Sequence, residues 1–233
     1  PAEKAPSEPE RSRTTSSKDA QTPSAATPSG PPSAAIFDVG GVLLEWNPRQ
    51  LYRKLFNGEE AAMERFLAEV CTPAWNHRQD EGRTWAEATA ELIARWPEQA
   101  ALIEAYDARW AEMVSGPLSD TIALVEALKA RGIPLYCLTN FSTEKFPLMR
   151  RRYDVFDLFD GIVVSGEIGM AKPDPAIFQH LLQRFGLAAT ACLFIDDVPA
   201  NITTAQQLGI DTHLFRGAAA LGHDLRQRGL LTE

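Results

Sequence analysis

The segment Ala34-Ala35-Ile36-Phe37-Asp38-Val39-Gly40-Gly41 carries the first fold signal in this 233-residue chain. It is a short apolar run that ends in an acidic residue and is followed by two glycines. This pattern is typical of a buried strand whose carboxyl end opens into a loop. Ile36 is also the first large apolar side chain in the sequence. The ordered part of the protein is therefore predicted to begin with a strand near residue 34.

The 33 residues before this strand have a different composition. They are rich in Pro, Ser, Ala and Thr, and they contain no Val, Ile, Leu, Met, Phe, Trp, Tyr or Cys. Such a segment buries too little apolar surface to offset the entropy lost on ordering. We predict that residues 1–33 form a disordered tail.

Charge, hydropathy and cysteine content exclude several classes of protein. The tail is neutral, so the whole net charge of −8 lies on the remaining chain, which lacks the basic surface expected for nucleic-acid binding. No apolar run reaches the roughly 18 residues of a transmembrane helix, and no apolar secretion signal is present. The three widely spaced cysteines, Cys71, Cys137 and Cys192, favour a reducing compartment over a disulfide scaffold or a zinc site. We expect a cytoplasmic protein that binds neither nucleic acid nor a membrane.

Residues 48–115 are predicted to be helical throughout. Apolar side chains recur there at helical spacing in four stripes, and Pro97 separates the last two. The stripes begin at Leu51, Met63, Trp85 and Leu102. No strand-like pattern interrupts them.

From Gly116 the pattern alternates between helices and strands. Ser119 is predicted to cap the first of these helices, and Asp174-Pro175 to open a later one. Strands are predicted at 133–138, 162–164, 192–195 and 212–215. This alternation indicates a parallel sheet with helices on both faces.

The strand at residue 34 belongs to the same sheet, so the helical block is an insertion between the first and second strands of that sheet. We predict an α/β protein with a Rossmann-like parallel core formed by residues 34–47 and 116–233, and a helical cap formed by residues 48–115.

Polar side chains collect at the strand ends, where parallel sheets bind ligands. These residues are Asp38, Thr139, Asn140, Ser165, Asp196 and Asp197, with Lys172 just beyond a strand. Close carboxylates repel one another unless a cation neutralises them, and all-oxygen ligation suits Mg²⁺. A hydroxyl, an ammonium and the free N–H groups at a helix start suit a phosphate. An aspartate beside both can act as a nucleophile toward phosphorus.

Four segments resemble, in the right order, the four motifs of the haloacid dehalogenase-like (HAD) hydrolase superfamily. They are Phe37-Asp38-Val39-Gly40-Gly41-Val42-Leu43, Cys137-Leu138-Thr139-Asn140, Lys172-Pro173-Asp174-Pro175 and Phe194-Ile195-Asp196-Asp197. The resemblance covers about residues 34–233, and the helical block lies where that family inserts C1-type caps.

The resemblance implies a role for each matching residue. Asp38 would be the nucleophile. Its carboxylate, the Gly40 carbonyl and Asp197 would hold Mg²⁺, with Asp196 as a further or outer ligand. Phosphoryl oxygens would be bound by Thr139 and Lys172, with Asn140 as a further phosphate or cap contact; Lys172 would also offset the charge of the nucleophile, and Asn201 would orient the metal site.

One departure concerns the proton donor. Most phosphatases of the family have a second Asp two places after the nucleophile, acting as general acid and base, and this chain has Gly40 there. Such proton transfer is typically worth about 10²–10⁴-fold in rate. The glucose-1-phosphate phosphatases of the superfamily, which the chain resembles here, also have Gly at this position.

Three interpretations of Gly40 remain open. The chain is a Mg²⁺-dependent phosphatase in which water or a cap group supplies the proton, a metal-independent 2-haloacid dehalogenase that uses Asp38, or a catalytically impaired phosphate-binding protein. Dehalogenases carry Ser and Asn where this chain has Asp196-Asp197. Two carboxylates beside Asp38 would repel it strongly without a cation, which favours the phosphatase.

A cap over the site favours a small phosphorylated metabolite as substrate. The least regular stretch of the cap is Trp75-Asn76-His77-Arg78-Gln79-Asp80, and Trp46-Asn47 lies at the cap hinge. The candidate substrate contacts are therefore Trp46, Asn47, Trp75 and Arg78.

Overall fold

The computed structural model describes residues 31–232 of the chain. The predicted disordered tail therefore lies outside the described residues except for positions 31–33. At the last of these, the backbone N–H of Ser33 donates to the carbonyl of Ala191 (2.8 Å), beside the sheet.

Five parallel strands form the central sheet: β1 (Ala34–Phe37), β4 (Leu135–Thr139), β5 (Gly161–Val164), β6 (Cys192–Asp196) and β7 (Asp211–Leu214). Across the sheet they lie in the order β5-β4-β1-β6-β7. The first strand lies in the middle, pairing with β4 on one side and β6 on the other. The predicted Rossmann-like α/β fold is confirmed. Asp38 thus leaves the sheet at its centre, between the ends of β4 and β6.

Alternate residues of the strands face two separate hydrophobic cores, as the period of two in a strand requires. Phe37 and Ile195 point into one core, whereas Ile36 and Phe194 point into the other. Both faces of the inner strands β1, β4 and β6 are therefore buried, which explains why these strands are near-continuous apolar runs. The edge strand β7 is half-buried and more polar.

Helices of the α/β core cover the two faces of the sheet. They are α6 (Ser119–Ala130), α7 (Phe146–Arg152), α8 (Ser165–Ile168), α9 (Pro175–Phe185), α10 (Pro199–Gln207) and α11 (Ala218–Gln227). Buried side chains of α9 and α10 lie in one core, and those of α6, α7 and α11 lie in the other. Asp174 caps α9 as predicted, accepting from the N–H of Ala176 at 2.8 Å. The prediction for Ser119 was wrong: it is the first residue of α6, and Leu118 occupies the cap position without a side-chain bond.

Between the first two strands of the central sheet the chain forms a helical layer, which consists of α1 (Arg49–Leu55), α2 (Glu60–Glu69), α3 (Pro73–Asp80), α4 (Trp85–Arg95) and α5 (Ala100–Ala108). Stacked aromatic rings hold it together: Trp85 and Tyr106 have centroids 5.5 Å apart, and Trp75 meets both edge-on. This aromatic cluster is continuous with the core on one face of the sheet.

A short antiparallel pair, β2 (Leu44–Trp46) and β3 (Val114–Pro117), joins the two ends of the helical layer to the α/β core. The prediction of helix as far as residue 115 was therefore wrong at its end, and β2 was not foreseen. Both strands are very short, and β3 contains Gly116 and Pro117, residue types depleted in strands. The pairing of distant segments stabilises them, so local sequence patterns do not reveal them.

In the described part of the chain, no helix combines the length and the apolar character that crossing a membrane requires.

Candidate active site

The centre of the site is the carboxylate of Asp38, the first residue after β1. It is nearly buried, with 7% of its surface exposed. Its Oδ1 accepts the backbone N–H of Val39 at 2.7 Å and lies 2.8 Å from Nζ of Lys172. These contacts fix one carboxylate oxygen, and no other hydrogen bond to this carboxylate occurs within the described residues.

Lys172 is buried and lies between two carboxylates. Its Nζ is 2.8 Å from Oδ1 of Asp38 and 2.7 Å from Oδ2 of Asp196, and it also lies above the ring of Phe194. Burial disfavours the charged ammonium, but the attraction of the two carboxylates outweighs this and raises the pKa of Lys172. The lysine is therefore charged at neutral pH and offsets part of the negative charge of the site.

Asn140, at the end of β4, positions this lysine. Its Nδ2 donates to the carbonyl of Lys172 and its Oδ1 accepts the N–H of Lys172, both at 2.8 Å. The amide group is thus engaged by the backbone of Lys172. Asn140 therefore positions Lys172, and its predicted role as a phosphate or cap contact stays a prediction.

Asp196 is fully buried, and its carboxylate accepts four hydrogen bonds. Its Oδ2 receives Lys172, its Oδ1 receives the N–H of Val198 at 2.8 Å, and Nδ2 of Asn201 lies 3.0 Å from both oxygens. A carboxylate has about four lone-pair sites. Of the two predicted roles of Asp196, a further or an outer metal ligand, this geometry favours the outer one, with the carboxylate orienting Lys172.

Three carboxylates converge closely enough to share a cation. One oxygen each from Asp38, Asp196 and Asp197 lies within 4.8 Å of the others. Asp197 is half-buried, and within the described residues no other residue donates a hydrogen bond to its carboxylate. An all-oxygen cluster of this kind fits Mg²⁺, which prefers oxygen ligands and keeps some of its waters. Asp38 and Asp197 have free oxygens for it.

The glycines after Asp38 make room for this cluster. A Cβ on Gly41 would lie 2.4 Å from Oδ2 of Asp197, and Gly41 has a φ of +74°, so its place requires glycine for two reasons. Gly40 differs, because a Cβ there would meet nothing within 4 Å. In most phosphatases of the family that the motifs resemble, this position is expected to carry a second Asp, and here it is open space.

Burial raises the pKa of Asp38 to about 7; Lys172 opposes this rise and Asp196 adds to it. The pKa of Asp197 is also raised, by burial and by the charge of Asp196. One lysine therefore does not fully balance three acids in a buried site. This excess of negative charge is the electrostatic reason why the cluster suits a cation.

Thr139, the last residue of β4, adds an unsatisfied hydroxyl. It is 1% exposed, and its Oγ1 has no hydrogen-bond partner among residues 31–232. A buried hydroxyl without a partner costs about 1–3 kcal/mol. A phosphoryl oxygen would satisfy it.

The predicted substrate contacts separate into different environments. Trp46 lines a cavity of about 440 Å³ in the helical layer. Asn47 accepts the N–H of Arg49 (3.0 Å) at the start of α1, and Trp75 is buried, donating to Ala88 at 3.3 Å. Arg78 is exposed beside Glu91. The structure brings only Trp46 of these four to the cavity, because Trp75 and Arg78 lie on other faces of α3.

Sequence reasoning missed the contacts that attach the helical layer to the sheet edge. Oγ of Ser165 donates to the carbonyl of Asp80 and accepts the N–H of Phe141, while Nε1 of Trp85 donates to Ser142 at 2.9 Å. These contacts place Asp80 on the cavity wall, beside the edge that carries Asp38. Burial, the charge of Asp38 and the charge of Glu81 raise its pKa to about 7. The sequence identified the irregular segment that ends at Asp80 but not Asp80 itself, because a polar helix without an apolar stripe does not show which residue faces the cavity.

Comparison with known proteins shows similarity in sequence and in fold. Residues 32–209 match the haloacid dehalogenase-like hydrolase family. The chain is 30% identical over 201 residues to the sesquiterpene phosphatase astK of Aspergillus oryzae, covering 83% of this chain and 95% of the relative. It is 33% identical over 97 residues to the glyceraldehyde 3-phosphate phosphatase of Methanocaldococcus jannaschii, covering 41% and 42% of the two chains.

A solved structure shows the same similarity. A HAD family enzyme of Bacteroides thetaiotaomicron, crystallised with magnesium and inorganic phosphate, superposes with a TM-score of 0.62 at 25% identity, covering 80% of this chain and 95% of that one. The match to the family model spans well over half of the chain, and the predicted family is confirmed. This protein is a hydrolase and belongs to the haloacid dehalogenase-like hydrolase family.

Proposed function

We propose that the protein is a Mg²⁺-dependent phosphatase that hydrolyses a small phosphorylated metabolite through an aspartyl-phosphate on Asp38. The observation that carries this proposal is the buried cluster of Asp38, Asp196 and Asp197 around a single lysine. Without a cation this cluster has excess negative charge, and with one it suits a phosphoryl group. Two relatives named as phosphatases, and a neighbour crystallised with magnesium and phosphate, support the same function.

In this proposal Asp38, Asp197 and the Gly40 carbonyl would hold Mg²⁺, and Asp196 keeps Lys172 in place. When bound, the ion neutralises charge on the phosphoryl oxygens and on the carboxylates. Thr139 and Lys172 donate to the other phosphoryl oxygens. Helices α1–α5 act as a cap that excludes bulk water from the site.

The reaction then has two balanced steps. An Asp38 oxygen attacks phosphorus, the bond from phosphorus to the alcohol oxygen breaks, and that oxygen takes up a proton. Water next attacks the same phosphorus, the bond from phosphorus to Asp38 breaks, and inorganic phosphate leaves while the water proton returns to the protein.

Gly40 has no side chain and supplies no proton for these steps. The resemblance of the chain to the glucose-1-phosphate phosphatases at this position stays a prediction. Asp80 is our candidate for the cap group that donates the proton to the leaving alcohol and later accepts one from water. Its carboxyl is half-buried on the cavity wall, and its pKa of about 7 suits an acid and base at neutral pH.

We expect Asp80→Asn to lower kcat for alkyl phosphates by about 10- to 100-fold, and to have little effect on aryl phosphates with acidic leaving groups. The difference arises because a good leaving group departs without protonation. Steady-state rates over a series of leaving groups measure it, with Glu81→Gln as the control. An equal loss for every leaving group would show that Asp80 has only a structural role.

The proposed function is tested with an aryl phosphate in the presence of Mg²⁺ and of EDTA. We expect turnover that requires Mg²⁺ and is lost with EDTA, because the uncompensated carboxylates would repel the substrate phosphate. Chloride release from 2-chloropropionate in EDTA would instead identify a dehalogenase. Phosphate binding without either activity would identify an impaired binding protein.

A further inference from the structure

The cavity in the helical layer has a composition that the reaction centre does not explain. It is built by β2, α1, α2, α3 and α5, and its volume of about 440 Å³ lies within the usual range of small-ligand pockets, about 300–1,000 Å³. Most of its wall is apolar and is contributed by Trp46, Pro48, Leu67, Ala68, Cys71 and Tyr106. Such a wall has few partners for a ligand with many hydroxyls.

The cavity adjoins the catalytic edge at two places. Asp80 lines it and is tied through its carbonyl to Ser165, at the end of β5. Trp46 lines it too and belongs to β2, whose first residue Leu44 accepts the N–H of Gly41 at 2.9 Å. The loop that carries the nucleophile and the wall of the cavity are thus parts of one short chain segment.

The polar groups of the wall limit what else the occupant can carry. Arg49 is already paired with Glu64, at 2.5 and 2.6 Å, so it is committed to a carboxylate. The other polar side chains of the wall include His77, whose Nε2 lies 3.5 Å from Oε1 of Glu81, and Asp80, our candidate proton donor. The wall therefore offers few polar partners to the organic part of a substrate, and the pairing of Arg49 disfavours a second anionic group.

We propose, on the basis of the phosphatase function above, that this cavity binds the organic part of the substrate and that the substrate is a phosphomonoester of a largely hydrocarbon alcohol with at most one or two further polar groups. Sugar phosphates, nucleotides and phosphorylated acids are poor matches, because their hydroxyls or second charges would be desolvated against this wall without compensation.

The test compares butyl, hexyl and octyl monophosphate with glucose 6-phosphate, all with Mg²⁺, and uses acetyl phosphate as the small reference substrate. We expect kcat/KM to rise with chain length by up to three- to fourfold per added methylene, as the burial of hydrocarbon predicts. Glucose 6-phosphate should be hydrolysed less efficiently than hexyl monophosphate. A rate that does not depend on chain length, or a preference for the sugar, would overturn the inference.

Two variants on α2 form a matched pair. Ala68→Trp fills the cavity from its rim, whereas Ala61→Trp places the same ring on an exposed position outside it. We expect Ala68→Trp to lower the ratio of kcat/KM for octyl monophosphate to kcat/KM for acetyl phosphate at least tenfold, and Ala61→Trp to leave this ratio unchanged. Equal effects of the two variants would contradict a role for the cavity.

The failure of this inference can be told apart from failure of the proposed function. Hydrolysis of acetyl phosphate without a chain-length effect would leave the phosphatase intact and remove the substrate class. If no phosphate ester is hydrolysed, calorimetry can still measure the binding of octyl monophosphate to Asp38→Asn. Binding that is weakened by adding Ala68→Trp supports the assignment of the cavity, and absence of binding overturns it.

Discussion

Asp38→Asn is expected to abolish phosphatase turnover and, at the same time, to raise the thermal stability of the metal-free protein at pH 8. Activity should fall about 10⁴-fold or more, because an amide oxygen is a poor nucleophile toward phosphorus. Stability should rise because burial raises the pKa of Asp38 to about 7, which makes its ionised form costly in the folded state.

The sign of the pH effect follows from that raised pKa. The folded protein holds a proton on Asp38 that the unfolded chain loses near pH 4, so the contribution of Asp38 to stability is fully present at low pH. It is lost as the pH rises through about 7. An asparagine does not ionise, so the variant escapes this loss.

Melting temperatures in EDTA at pH 5.5 and pH 8 measure the stability effect. We expect the melting temperature of Asp38→Asn to lie several degrees above that of the wild type at pH 8, a stabilisation on the order of 1–4 kcal/mol. The difference in melting temperature should be smaller at pH 5.5. The exposed Asp157→Asn should change neither activity nor stability. A variant that keeps substantial turnover, or that melts below the wild type at pH 8, would contradict this account of Asp38.

The second large effect is expected for Lys172→Met. Loss of the ammonium leaves Asp38 and Asp196 buried without their shared cation, and breaking a buried ion pair in this way costs about 3–5 kcal/mol. Turnover should fall by at least about 10³-fold, because the same group binds the phosphoryl oxygens in the proposed mechanism.

Urea unfolding in EDTA at pH 8 and pH 5.5 measures this cost. We expect the variant to recover part of its stability at pH 5.5, because protonation removes the repulsion between the two unpaired carboxylates. Lys129→Met is the matched control: its exposed ion pair with Asp160 should contribute less than about 1 kcal/mol. A loss of stability as small as that of the control would show that Lys172 does not hold the cluster together.

The sequence was most informative about the central sheet. Four of its strands, β1, β4, β5 and β6, are short and mostly apolar and lead to a polar residue, so their order along the chain and their role in the core were predictable. The edge strand β7 is half-buried and more polar. The antiparallel pair of β2 and β3 could not be predicted, because each strand is stabilised by a partner about 70 residues away in the sequence and not by its own residue pattern.

The candidate site shows the same division. The motifs identify the residues that converge, including Asp38, Lys172 and Asp197. They do not show that the Asn140 side chain hydrogen-bonds to the backbone of Lys172, or that the Asp196 carboxylate accepts hydrogen bonds from Lys172 and Asn201. These assignments depend on distances between side chains from different strands.

The placement of the candidate substrate residues also required the structure. Which face of α3 points toward the cavity decides the role of Trp75, Arg78 and Asp80, and that polar helix has no apolar stripe to indicate it. Attachment of α3 to the sheet edge through Ser165 fixes its orientation.

The central claim is that the carboxylate of Asp38 takes up phosphorus. It is tested most directly by quenching the protein during turnover with Mg²⁺ and substrate, reducing it with borohydride, and mapping the product by peptide mass spectrometry. An acyl phosphate is reduced to an alcohol, so the account predicts homoserine at position 38 only when both Mg²⁺ and substrate are present. Continued turnover with aspartate unchanged at position 38, or with the reduced residue elsewhere in the chain, would contradict it.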